Sequence, residues 1–87
     1  MSTKILRLPQ VMDECGLARS TVYLRVTQKL LTKPVSLGPR CVGWPLNEIE
    51  AINAARISGK TDDGIRELVA ILMERRSGAY EGDAAVV

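Results

Sequence analysis

From Leu8 to Glu14 the apolar positions Leu8, Val11 and Met12 recur at helical spacing, and Pro9 stands where a first helical turn tolerates proline. Gly16 then supplies the left-handed residue that a tight connection requires, and Leu17 can fold back onto the core. A second helix is predicted from Ala18 or Arg19 to about Gln28, with Val22 and Val26 one turn apart and facing inward. That phase turns Ser20, Thr21, Leu24 and Gln28, with the flanking Arg19, Tyr23 and Arg25, outward or sideways. β-Branched residues at 21, 22, 26 and 27 make it a mediocre helix by propensity, so tertiary packing has to hold it.

The period changes after the loop Lys29 to Lys33. Val35 and Leu37 alternate, Gly38 and Pro39 form a turn, and Cys41, Val42 and Trp44 continue extended, which predicts a short hairpin over Pro34 to Trp44. Arg40 falls at its tip and Lys33 near its base. Trp44 is the natural structural anchor of the hairpin. Pro45 opens a third helix with Leu46 or Asn47 near its cap, Glu48 and Glu50 in its first turn, and Ile49, Ile52 and Ile57 apolar. Ser58 to Thr61 reads as a linker. Thr61 or Asp62 caps a fourth helix that runs to Arg76, with Arg75 and Arg76 at its dipole's negative end and Ser77 and Gly78 after it. Its apolar residues Ile65, Leu68, Val69, Ile71, Leu72 and Met73 cover more circumference than one contact with a small core requires. The expected organisation is therefore 1–60 as one domain, 61–78 as a helix for packing or association, and 79–87 as a short acidic disordered tail.

Composition narrows the class. Hydrophobic residues are 46% of the chain but aromatics only 3%, so the core is built mainly from Leu, Ile, Val and Ala. No apolar run approaches the roughly 20 residues needed to cross a bilayer, and no signal peptide is apparent, which predicts a cytoplasmic, nucleoid-associated protein. With no histidine and only Cys15 and Cys41, a zinc site is not expected and the thiols read as ordinary reduced cysteines; no metal or cofactor is predicted. The absence of histidine also removes the commonest general base, and an enzyme is disfavoured.

The net charge of +2 conceals an asymmetry. Residues 1–60 carry nine Lys or Arg against four acids, a net of +5, whereas 61–87 carry three against six, a net of −3. A basic domain with an acidic appendage suits a protein that neutralises phosphates. The predicted order of helix, turn, helix, hairpin and helix is that of a winged helix-turn-helix, mainly α with a small β-hairpin. In that arrangement the second helix enters the major groove of double-stranded DNA while the hairpin reaches the neighbouring minor groove or backbone. The candidate DNA-binding residues are Arg19, Ser20, Thr21, Tyr23, Arg25, Gln28, Lys33 and Arg40: arginine forks onto guanine or phosphate, and the hydroxyls bond phosphate oxygens. A protein-interaction adaptor is the competing reading, with Ile65, Leu68, Val69, Leu72 and Met73 as the association stripe.

Five stretches carry a more specific resemblance: Leu8 to Met12, Gly16 to Tyr23, Lys33 to Gly38, Arg40 to Trp44 and Glu48 to Ala51. In order and approximate spacing they resemble the AlpA family of prophage regulators and excisionases, across about 50 of the 87 residues. Ala18 departs from the family's usual serine and removes a capping hydroxyl worth about 1 kcal/mol. Asn53 stands where the family often has tryptophan. The resemblance implies a MerR-like winged helix that binds repeats near an attachment site or promoter and bends the DNA. It also implies assistance to a tyrosine integrase in excising an integrated element, or control of the integrase gene, with possible self-association on DNA. Arg19, Ser20, Thr21, Tyr23 and Arg25 carry over as recognition-helix positions and Arg40 as the wing.

Overall fold

The computed structural model describes residues 4–79 of the chain. These form β1 (Ile5–Leu6), α1 (Leu8–Cys15), α2 (Arg19–Thr27), β2 (Val35–Gly38), β3 (Cys41–Pro45), α3 (Leu46–Ile57) and α4 (Asp62–Ala79). The described residues are thus mostly helical, with one small antiparallel sheet in the order β1-β3-β2. The tail predicted over 79–87 lies outside the described residues from position 80 onward.

α1 starts as its sequence dictates, with Pro9 in the first turn and the Gln10 side chain accepting the Arg7 backbone N–H at 2.9 Å. It stops at Gly16, whose φ of 66° and ψ of 33° are left-handed. The Leu17 N–H then closes the turn on the Met12 carbonyl at 3.0 Å. α2 follows α1 after three residues, and the absent hydroxyl at Ala18 leaves its first turn without a side-chain cap. Val22 is fully buried and Val26 packs against the core, so the predicted phase of this helix is the observed one. Just past the end of α2, Lys29 has φ of 63°, a left-handed geometry unusual for residues other than glycine and asparagine.

The sheet contains a strand that the hydrophobic pattern did not indicate. β1 is two residues long, too short to alternate, and pairs Ile5 with Pro45 and Leu6 with Trp44. β2 and β3 form the predicted hairpin, with a register shift between Ser36 and Gly38. Gly43 in the central strand is a packing requirement: a Cβ there would stand 2.5 Å from Ile5 Cγ2 and 2.9 Å from the Leu6 carbonyl oxygen. The missing side chain is what lets β1 lie across β3. Pro45 caps α3 and also ends β3, one residue position serving both elements.

α4 packs back onto the rest of the domain. The helix expected over 61–78 for packing or association shares the hydrophobic cluster of the described residues, because Ile65, Val69 and Leu72 are buried in it, and Leu68 and Met73 pack against it. Of the stripe's apolar residues, only Ile71 is an exposed one. Ile57, expected on an apolar face of α3, is instead 87% exposed at the last turn of that helix. The start of α4 is as predicted: Thr61 Oγ1 accepts the Gly64 N–H at 3.2 Å, and Asp62 pairs with Arg56 at 3.1 Å.

Arg76, in the last turn of α4, does more than complement a helix dipole. Its Nη2 and Nε donate to the two carboxylate oxygens of Glu48 at 2.6 and 2.8 Å, and Nη2 also donates to the Lys33 carbonyl at 2.7 Å. Glu48 is one of two buried polar residues among those described, so this bidentate pair compensates a carboxylate that packing has removed from water. Breaking one side of such a pair leaves a buried charge unmatched. Arg76→Ala is therefore expected to lower unfolding free energy by roughly 3 kcal/mol in a urea titration. Removing both charges together, Glu48→Leu with Arg76→Leu, is expected to recover much of that loss, since an apolar pair leaves no stranded ion.

Candidate nucleic-acid interface

The exposed face of α2 follows from its buried one. Val22 and Val26 fix the inward direction, so Ser20, Leu24 and Thr27, spaced four and three residues apart, line the opposite side. Ser20, Leu24, Thr27 and Gln28 are all exposed, and Thr21 is half-buried. Arg19 is exposed in the first turn.

Two predicted residues of this helix lie on its flanks. The Tyr23 ring is 6.3 Å from that of Trp44 at an interplanar angle of 58°, so it covers the buried indole while remaining 39% exposed. Arg25 is half-buried on the other flank and lines an open cleft of about 320 Å³ with Glu14, Cys15, Asn53 and Arg56. The structure therefore separates Arg25 from the line of Ser20, Leu24 and Thr27.

Beyond α2, the chain turns toward α4. Gln28 ends the helix, and its carbonyl accepts Arg66 Nε at 3.0 Å. Lys33 is exposed and lines a groove of about 290 Å³ with Lys29, Arg66, Val26, Leu31, Val69, Ala70 and Met73. Lys29 and Arg66 are basic neighbours of Lys33 that the sequence reading left out; Arg66 is distant in sequence, so no local pattern signals it. Arg40 is exposed at the tip of the β2–β3 hairpin with φ of 59°.

The hairpin and α2 hold each other through Trp44. This indole is fully buried and its Nε1–H donates to the Thr32 carbonyl at 2.8 Å, joining β3 to the loop that leaves α2. Arg7, at the N-cap of α1, ties that helix to β3 by donating Nε to the Val42 carbonyl at 3.0 Å.

Electrostatics distinguish the basic side chains. Among the described residues, the ion pairs engage Arg56, Arg66 and Arg76 with Asp62, Asp63 and Glu48. Arg19, Arg25, Lys29, Lys33 and Arg40 enter none of them, which leaves α2, the loop after it and the hairpin tip with uncompensated positive charge. Such a distribution favours an anionic partner over the protein's own carboxylates.

Burial pushes the Cys15 thiol up from its ordinary value, the Glu14 charge adds to that, and the hydrogen bond with Asn53 and the charge of Arg25 oppose it. Asn53 also donates to the Glu14 carbonyl at 3.2 Å, which ties α3 to the end of α1. Among the described residues, no group of three or more His, Cys, Asp or Glu is placed to hold a metal ion, and no helix is long and apolar enough to cross a membrane. Because a raised pKa lowers the thiolate fraction at every pH below it, Cys15 is expected to react with iodoacetamide at pH 8 more slowly than a free small thiol. Its rate should climb only at more alkaline pH, and mass spectrometry of the alkylated peptide measures it.

Comparison with known proteins adds family information. Residues 4–57 match the family described as Prophage CP4-57 regulatory protein (AlpA). The chain is also 42% identical over 57 residues to "Uncharacterized protein ORF88" of Enterobacteria phage P4, a match that covers 66% of this chain and 65% of that protein. No solved structure matches.

Proposed function

Because the chain belongs to the AlpA family of prophage regulatory proteins, we propose that it is a sequence-specific DNA-binding protein acting as an excisionase, or recombination directionality factor. On this reading α1 and α2 are a helix-turn-helix, α2 enters the major groove, and the β2–β3 hairpin is a wing carrying Arg40 to the adjacent minor groove or backbone. The observation that carries the reading is the uncompensated positive charge on α2, the following loop and the hairpin tip.

Roles follow from position. Arg19, in the exposed first turn of α2, and Ser20 beside it contact bases or phosphates, while half-buried Thr21 and the hydroxyl of Tyr23 serve the backbone. Arg25, on the flank facing the cleft, is assigned to phosphate rather than to a base edge. Gln28 and Lys33, with Lys29, extend the positive surface at the far end of the helix. The protein places no catalytic group on the DNA; it bends attachment-site repeats so that a tyrosine integrase performs excision. Self-association through Ile65, Val69 and Leu72 is not part of the proposal, since those side chains are buried in the protein's own core. Regulation of the integrase gene is the second reading, favoured by the family's description as regulatory.

Arg19→Ala and Arg40→Ala are each expected to weaken binding to attachment-site DNA and to reduce the slope of log K against log salt by about 1, with the thermal melt unchanged. Salt-titrated fluorescence anisotropy measures this, and unchanged affinity in both variants removes the assigned interface. The excision role is tested by adding the purified protein to an integrase and a plasmid carrying the integrated element. Increased excision supports it, whereas DNA binding without increased excision leaves the transcriptional reading.

A further inference from the structure

Leu24 is 53% exposed in the middle of the α2 face that carries Ser20 one turn before it and Thr27 one turn after it. It is neither in the buried cluster nor among the half-buried apolar residues packed against that cluster. A single exposed leucine is ordinary on a protein surface. The neighbours make this one informative. Thr27 donates its hydroxyl proton to the Tyr23 carbonyl at 3.2 Å, so that proton is committed within the helix and is not offered to a base acceptor. Arg25 is turned to the cleft on the flank, and Val22 and Val26 face the core. Between Ser20 and Thr27 the outward line therefore holds no Arg, Lys, Asn or Gln able to fork onto a purine edge.

In the major groove, the apolar feature that a base edge presents is the C5-methyl group of thymine. We infer that Leu24 is a specificity-determining residue that reads a thymine methyl by apolar contact at the centre of the interface. This inference rests on the DNA-binding reading of α2 given above. Direct readout along α2 is then divided: hydrogen-bonding groups lie at its two ends, Arg19 with Ser20 and Gln28, and shape complementarity to a methyl lies between them.

The test uses duplexes enriched from a random DNA library by the wild-type protein. Each thymine of the enriched site is replaced in turn by deoxyuridine, which deletes the methyl and preserves base pairing. At one or two positions the wild-type protein is expected to lose about fourfold in affinity, the worth of burying one methyl group. Leu24→Ala and Leu24→Gln are expected to bind the thymine and deoxyuridine duplexes alike. Both variants should keep the wild-type circular dichroism and melting temperature, because Leu24 lies outside the core. The deoxyuridine series on the wild-type protein stands whatever the variants do. Equal affinity at every thymine, or a penalty that persists in both folded variants, overturns the inference while leaving DNA binding in place. Failure to enrich any duplex overturns the DNA-binding reading and this inference with it.

Discussion

The buried indole of Trp44 is the interaction on which the arrangement of the other elements depends. It is the residue of β3 that pairs with Leu6 of β1, its Nε1–H holds the Thr32 carbonyl, and Tyr23 of α2 leans on its ring. A chain in which aromatics make up only 3% concentrates much of its ring area at one point, and the sheet, the loop after α2 and α2 itself converge there. The hairpin is consequently not a free appendage. Its base is locked by a buried hydrogen bond, while its tip at Arg40 remains exposed. A fixed base and an exposed basic tip are what a contact reaching beyond the body of a domain requires, since a rigid support lowers the entropy lost on binding.

α2 itself contributes little intrinsic stability. It is nine residues long, has β-branched residues at several positions and lacks a side-chain cap at Ala18, so it depends on Val22, Val26 and the Tyr23–Trp44 contact to stay formed. That dependence frees its outward face from structural duty. Ser20, Leu24 and Gln28 are exposed and make no contact that the core needs, so their identities can be set by a partner.

Much of this was legible in the sequence wherever the determinant was local. Pro9 and Gly16 marked the limits of α1, the Val22–Val26 spacing set the phase of α2, and Gly38 with Pro39 marked the hairpin turn. What escaped depended on distant residues or on scale. β1 has two residues, fewer than alternation needs to register, and its pairing with β3 is licensed by Gly43, far away in sequence. Glu48 reads as an acid placed for a helix N-terminus until Arg76 arrives from 28 residues further on. Arg19 and Arg25 look equivalent as basic residues of one helix, and only the packing of α1 and α3 beside α2 puts Arg25 on the cleft side. Leu24 was correctly turned outward by phase, yet outwardness alone assigns no role.

The extent of the family match and the extent of the folding unit differ, and the difference has a physical meaning. The match ends at residue 57, while Ile65, Val69 and Leu72, a quarter of the twelve hydrophobic residues of the buried cluster, lie beyond it. Arg76, which neutralises buried Glu48 and holds the Lys33 carbonyl, lies further still. Withdrawing three buried aliphatic side chains and stranding a carboxylate takes from the core both apolar burial and the partner of a buried charge. α4 is thus part of the folded unit that presents α2 and the hairpin. Because it grips Gln28 through Arg66 and Lys33 through Arg76, it also braces the chain just beyond the end of α2. The segment beyond the family match therefore supports the proposed interface from behind, by fixing where α2 ends.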